Sequence, residues 1–138
     1  MFVPAGSQVW SRQSGALAWL YVVGPWDAER VRAAREYFEE ARAVKPLPEP
    51  WGLIVVALAS AECVPEALLA LRAAALRDIR REGRAATAWV MSPELAGRSV
   101  MGAVLHSVYQ DIGPMEVFDN EGAAETWLRA QLSGLARG

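Results

Sequence analysis

Cys63 and His106 are the single cysteine and the single histidine of this 138-residue chain. A thiol with an imidazole base is the smallest nucleophilic set such a chain can assemble. Cys63 lies close to the start of an expected helix, where thiol pKa values fall. His106 falls mid-helix on the margin of an apolar stripe, which reads as a partly exposed structural or surface histidine. Glu39-Glu40 and Glu62/Glu66 have the composition of acid/base pairs, but neither pair has an expected burial that would raise a pKa. No G-x-S-x-G elbow is present, and neither phosphate-loop pattern occurs. One Cys and one His fall short of a four-ligand zinc site, and one Cys forms no intramolecular disulfide. The sequence therefore predicts no catalytic residue, no metal site and no cofactor.

Arg77, Arg80, Arg81 and Arg84 form the one local basic feature, with the chemistry to hold an anionic headgroup, a nucleotide or an acidic partner. Asp78 and Glu82 interleave with them, and arginine near a helix C-terminus is favoured by the dipole, so the cluster reads as a solvated helix end. Thirteen of the fourteen basic residues are Arg, but net charge is only −2, so no global field attracts a polyanion. Nucleic acid is not an expected partner, and the aromatic interleaving of single-strand binders is missing.

The elements that must position these residues follow from periodicity. The 53% hydrophobic content with six Trp suffices for one packed core, and a single domain over 1–138 is expected. Residues 8–13 alternate like an edge strand, Ser14-Gly15 marks a turn, and the apolar run 16–23 is a second strand, which gives a hairpin. Asp27 caps a helix with the stripe Val31, Ala34, Phe38 and Ala41. The proline-rich 45–50 is a stiff connector, and 51–59 is a central strand apolar on both faces. Pro65 opens a second helix with the stripe Leu68, Leu71, Ala75 and Ile79, ended by Gly83. Residues 84–91 form the next strand. Ser92-Pro93-Glu94 predicts the start of a third helix carrying Met101, Val104, Leu105, Val108 and Ile112. After a short strand at 115–118, Asp119 or Asn120 caps a last helix in which Ala124, Trp127, Leu128 and Leu132 share a face; Trp127 and Leu128 are expected to lock it onto the sheet. The apolar runs at 16–23 and 53–59 are too short to span a bilayer, and no secretory signal opens the chain, so a cytoplasmic location is expected.

This order predicts an α/β fold: a mixed sheet of about five strands, an N-terminal hairpin and then parallel pairing, with four helices. The order, the strand "LIVVALA" leading to a helix opened by Pro65, and the ending "EVFDNEGAAETWL" resemble the SpoIIAA-like family. The resemblance implies the β-α superhelix shared with STAS domains and, distantly, with lipid-binding domains of the Sec14 type. It implies no activity. STAS anti-anti-sigma factors carry a phospho-acceptor Ser within an Asp-Ser-Ser-Gly sequence, whereas this chain reads "ALASAECVPEAL"; Ser60 comes too early and Glu66 or Ala67 takes the acceptor's place, so the phospho-switch is not carried over.

In open α/β sheets, ligands and partners favour the edge beyond the carboxyl ends of parallel strands. That edge nominates Ser60, Glu62, Cys63, Glu66, Ser92 and Glu94 as a partner or ligand site. The expected role is a non-catalytic interaction or regulatory module for an unknown protein partner. The alternative is a carrier of a small apolar ligand or lipid, which requires an internal cavity of several hundred cubic ångströms. Crossover helices gathered on one face would leave the other bare, so a homodimer is expected unless the chain covers that face itself.

Overall fold

The computed structural model describes residues 6–137; residues 1–5 and 138, at the ends of the expected domain, lie outside them. Strands β1 (Val9–Ser14), β2 (Leu17–Val23), β3 (Trp51–Leu58), β4 (Arg84–Val90) and β5 (Met115–Phe118) form one sheet in the order β1-β2-β3-β4-β5. Only β1 and β2 are antiparallel; the other pairs are parallel. Gly15, at φ +60°, supplies the left-handed backbone of the two-residue turn between Ser14 and Leu17. Helices α1 (Ala28–Val44), α2 (Pro65–Arg81) and α3 (Arg98–Val108) are the crossovers, and α4 (Glu121–Arg137) follows the last strand. The α/β class, the mixed five-stranded sheet and the four helices agree with the sequence.

Strand parity divides the core in two. Ala18, Leu20, Val22, Leu53, Val55, Ala57, Trp89 and Met91 face the crossover helices, joined by Val31, Ala34 and Phe38 of α1, Leu71 of α2 and Leu105 of α3. Leu17, Trp19, Ile54, Val56, Ala86, Ala88 and Val90 point the other way and are buried with Ala124 and Leu128 of α4. The last helix thus crosses to the opposite face. The bare apolar face on which the expectation of a homodimer rested is covered within the chain.

Capping follows side-chain chemistry at two starts: Asp27 Oδ1 accepts from Arg30 N at 2.7 Å, and Asn120 Oδ1 from Ala123 N at 2.9 Å. The third helix departs from expectation. Ser92-Pro93-Glu94-Leu95 closes a turn, with Leu95 N donating to Ser92 O at 3.1 Å, and α3 begins only at Arg98 after Gly97 at φ +82°. Proline at the second position of a turn suits that geometry as well as it suits a helix start. The second helix is rotated from its expected stripe: Ala67, Leu71, Ala75 and Asp78 are buried, while Leu68 and Ile79 lie at the margin. On α4, Ala124 and Leu128 are fully buried, and Trp127 is half-buried against Phe118, ring centres 5.7 Å apart. The lock onto the sheet is therefore Leu128, and Trp127 seals its edge.

Candidate functional site

The nominated edge is assembled from the loops after β3 and β4. Ser60 and Ala96 pair as a β-bridge, Ala61 N donates to Ala96 O at 2.8 Å, and Gly97 packs so tightly on Glu62 that a Cβ there would lie 2.9 Å from Glu62 N. Ser60 itself is buried, its Oγ accepting from Glu62 N at 3.0 Å, so this hydroxyl holds the turn. Glu62, Glu66, Ser92 and Glu94 are exposed. Ala59, at the end of β3, has φ +66°, a conformation that costs a non-glycine residue energy and is enriched at functional turns. Gly24 sits against this loop, where a Cβ would meet Ser60 O.

Cys63 is half-buried, and desolvation pushes its thiol up to about 11. The shift is opposite in direction to the depression that a helix start favours, and its cause is burial. His106 is exposed: its Nδ1 contacts Gly102 O at 2.8 Å, and its Nε2 lies 3.6 Å from Glu116 Oε2. The surface reading of His106 holds. Among the described residues, no three His, Cys, Asp or Glu side chains gather into a metal site, and no helix is long and apolar enough to cross a membrane.

What the sequence reading missed at this edge is apolar. Val64 precedes α2, Leu69 lies in its second turn and Val100 in the first turn of α3, and they are 45%, 72% and 64% exposed. The signal was the pair Leu68-Leu69: adjacent helical residues point about 100° apart, and only one can face the sheet. Arg98 was also missed. Its Nε donates to Met91 O at 3.0 Å and its Nη2 to Asp119 Oδ1 at 3.1 Å, tying the ends of β4 and β5 to the start of α3.

A second constellation lies at the opposite end of the sheet, where β3 and β4 begin and α1 and α2 end. Asp78 is buried between two arginines, its Oδ2 accepting from Arg84 Nη2 at 2.7 Å and its Oδ1 from Arg42 Nη2 at 3.4 Å. Arg84 Nη1 also donates to Thr87 Oγ1 at 3.2 Å. The Arg42 guanidinium stands 4.9 Å from the Phe38 ring centre and 5.0 Å from that of Trp51. The reading of the arginine cluster as a solvated helix end is thus corrected for Arg84, whose side chain is only 4% exposed. Simple alternation would put Arg84 on the α4 face beside Ala86. A register shift between Trp51 and Gly52 sets Arg84 opposite Trp51 and Ala86 opposite Gly52, which turns Arg84 toward the crossover helices. Arg77 follows the surface reading, pairing with Glu39 at 3.3 Å.

Between α1, α2 and the sheet runs an apolar pocket of about 50 Å³, partly open to the surface and lined by Leu20, Val31, Leu53, Val55, Leu71 and Trp89 among others, with Arg42, Asp78 and Arg84 also in its wall. It falls well short of the several hundred cubic ångströms that a lipid carrier needs. A larger depression of about 400 Å³ is an open surface hollow lined by Gln8, Val9, Asp27, Glu29, Arg30 and Ala33, not an enclosed space for an acyl tail.

No family model, curated protein or solved structure matches this chain.

Proposed function

We propose that the protein is a non-catalytic interaction or regulatory module of the SpoIIAA-like, STAS-related kind, binding a protein partner through the edge formed by the loops after β3 and β4. The observation that carries this reading is the exposure of Leu69 in the second turn of α2 and of Val100 in the first turn of α3, the helices that follow the loops and turns bearing the exposed carboxylates of Glu62, Glu66 and Glu94. Apolar side chains rimmed by charge are the usual make-up of a protein-binding patch. The sequential strand order with an antiparallel hairpin at one edge supports the relation to STAS domains. A thiol held near 11 beside no imidazole supports a non-catalytic role, and the small interior supports an interaction module over a lipid carrier.

The test is a photo-crosslinking amino acid placed at position 69 in cells of the source organism. A partner crosslinked there, and lost when Val100→Glu is added to the same chain, supports the reading. The same crosslinked species with and without Val100→Glu, or none from position 69 while a control position on α4 captures one, moves the interface elsewhere and refutes it.

A further inference from the structure

We infer that the outer edge of β1 binds a second copy of this chain: two β1 strands pair antiparallel about a two-fold axis at Ser11 and join their sheets into one. β1 closes one side of the sheet, and among the described strands β2 is its one neighbour. Val23 N donates to Gln8 O at 2.8 Å, and bonded pairs recur at every second residue of an antiparallel ladder. The amides of Trp10 and Arg12 are therefore turned toward Tyr21 and Trp19, their register partners. Those of Val9, Ser11 and Gln13 point away from β2, along the outer edge.

Edge strands are normally guarded against pairing by short length, proline, bulges or exposed charge. β5, at the other side of the sheet, is four residues long and follows Pro114. β1 has six residues, VWSRQS, with no proline and an unbroken register against β2. Its one charge, Arg12, is already engaged within the chain. The guanidinium lies 3.7 Å from the Trp19 ring centre, its Nε donates to the Tyr21 hydroxyl at 3.2 Å, and its Nη2 is 3.7 Å from Glu121 Oε1.

Self-complementarity selects the second copy and fixes its register. A two-fold axis at Ser11 sets Ser11 beside Ser11 of the second copy, Val9 beside its Gln13, and Trp10 beside its Arg12. Trp10 is half-buried and stacked on Tyr21, ring centres 5.4 Å apart, and the Arg12 side chain is 41% exposed, so both have surface left to bury. Side chains of directly opposed, non-hydrogen-bonded pairs lie close enough for cation–π contact, and the symmetry makes that contact twice. The outward amides and carbonyls of Val9, Ser11 and Gln13 supply about six inter-chain hydrogen bonds. An axis at Arg12 would set two arginines opposite each other, which like charge disfavours; an axis at Trp10 would shorten the overlap of the strands. This edge shares no residue with the loops after β3 and β4, so it stands whether or not a partner binds there, and it is distinct from the sheet face that α4 covers.

Sedimentation of the full chain over a range of concentrations tests the assignment. Reversible conversion of the 15.0 kDa monomer to a dimer is expected, with half-dissociation on the order of 10 µM for so small an interface. Trp10→Ala removes both cross-axis contacts and should weaken the dimer about tenfold. Ser11→Pro replaces an amide that points out of the monomer's sheet, a position where an edge strand tolerates proline, and should give a folded monomer. In a Cys63→Ala background, Ser11→Cys should form a disulfide-linked dimer on mild oxidation, because Cα atoms of a hydrogen-bonded pair lie about 5.5 Å apart, within disulfide range. Gln13→Cys, displaced along the strand from its counterpart, should not. If Ser11→Pro fails to fold, the two cysteine variants decide. A monomer at about twenty times the expected half-dissociation concentration would leave the edge to a strand of another protein and overturn the assignment. So would an undiminished dimer of folded Ser11→Pro, or equal crosslinking from positions 11 and 13.

Discussion

Leu128 of α4 occupies the space directly above Gly52 of β3, where a Cβ would lie 2.6 Å from Leu128 Cγ and 2.7 and 2.8 Å from its two Cδ carbons. No other residue type fits at position 52 while α4 stays seated. Gly52→Ala should cost about 1–3 kcal/mol through overpacking, and Leu128→Ala about 2–5 kcal/mol through the cavity it leaves. The double variant should cost clearly less than the two together, because removing the leucine clears room for the new methyl. Urea unfolding of the four proteins measures this. Strict additivity would mean that α4 does not rest on Gly52.

Trp127 neighbours Leu128 but is only half-buried, so its truncation should be milder. Trp127→Ala is expected to cost about 1–2 kcal/mol, below the ~3–5 kcal/mol of a fully buried tryptophan. The same unfolding assay, with Leu128→Ala alongside, checks the ranking; a larger loss from Trp127→Ala reverses the assignment of the anchor.

Asp78 is the only acceptor among the described contacts that joins Arg42 to Arg84. Asp78→Ala should destabilise by about 3–5 kcal/mol, since it leaves two largely buried guanidinium groups without their shared carboxylate. Asp78→Ala combined with Arg84→Met should recover part of that loss, as the apolar pair no longer carries buried charge. Thermal unfolding reads both, and a loss under about 1 kcal/mol for Asp78→Ala would show that water compensates the arginines.

Cys63 should react slowly. With its thiol pushed up to about 11, about one molecule in ten thousand is a thiolate at pH 7. Alkylation should therefore accelerate roughly tenfold per pH unit up to about pH 10, and His106→Ala should leave the rate unchanged. Fast, selective alkylation at neutral pH that is abolished by His106→Ala would revive a thiol nucleophile.

Tyr21 joins the hairpin to α4: its hydroxyl donates to Glu121 Oε1 at 2.7 Å and accepts from Arg12 Nε at 3.2 Å. Burial, as the main cause, raises its phenol above the usual 10.0; the hydrogen bond from Arg12 opposes the shift, and the bond to Glu121 adds to it. Groups whose folded pKa is raised stabilise the fold while protonated, and that stability is lost as pH rises through the folded value. Cys63 and Tyr21 act in the same direction, so stability should hold below about pH 9 and decline toward pH 11. Tyr21→Phe with Cys63→Ala should flatten the decline in unfolding midpoint over that range, and an unchanged slope would place its cause elsewhere.

Much of this architecture was legible because the strong signals agreed with one another. The continuous apolar run of β3, the Pro65 start of α2, the Asp27 cap and the order of alternating elements each specify local structure without help from the rest of the chain. The errors arise where a residue suits two local geometries. Ser92-Pro93 begins a turn as readily as a helix, and only the packing of Gly97 against Glu62 decides between them. Arg84 was misplaced because a single shift in register reverses the face, and no composition rule marks that shift. Of the nominated edge, the loops containing Ser60, Glu62 and Ser92 meet through the Ser60–Ala96 bridge; the exposed Leu69 and Val100 adjoin the expected core stripes, next to Leu68 and Met101, and were assigned to no face. The buried triad was beyond sequence reasoning because Arg42 and Asp78 are 36 residues apart, and their meeting depends on how α1 and α2 are rotated.

The crossing of α4 to the opposite face has a consequence for biosynthesis. Leu17, Trp19, Ile54, Val56, Ala86, Ala88 and Val90 all precede α4 in the chain, and this helix is their cover. As the polypeptide emerges from the ribosome, β1 to β4 and the crossover helices can condense while this tryptophan-bearing surface still faces water. The nascent chain therefore passes through a stage at which one complete side of the sheet is adhesive, and the wait ends only when Leu128 arrives. Chaperone dependence and losses to aggregation should concentrate in that interval, so a variant that weakens the seat of Leu128 will reduce the yield of folded protein more than its equilibrium stability alone would indicate.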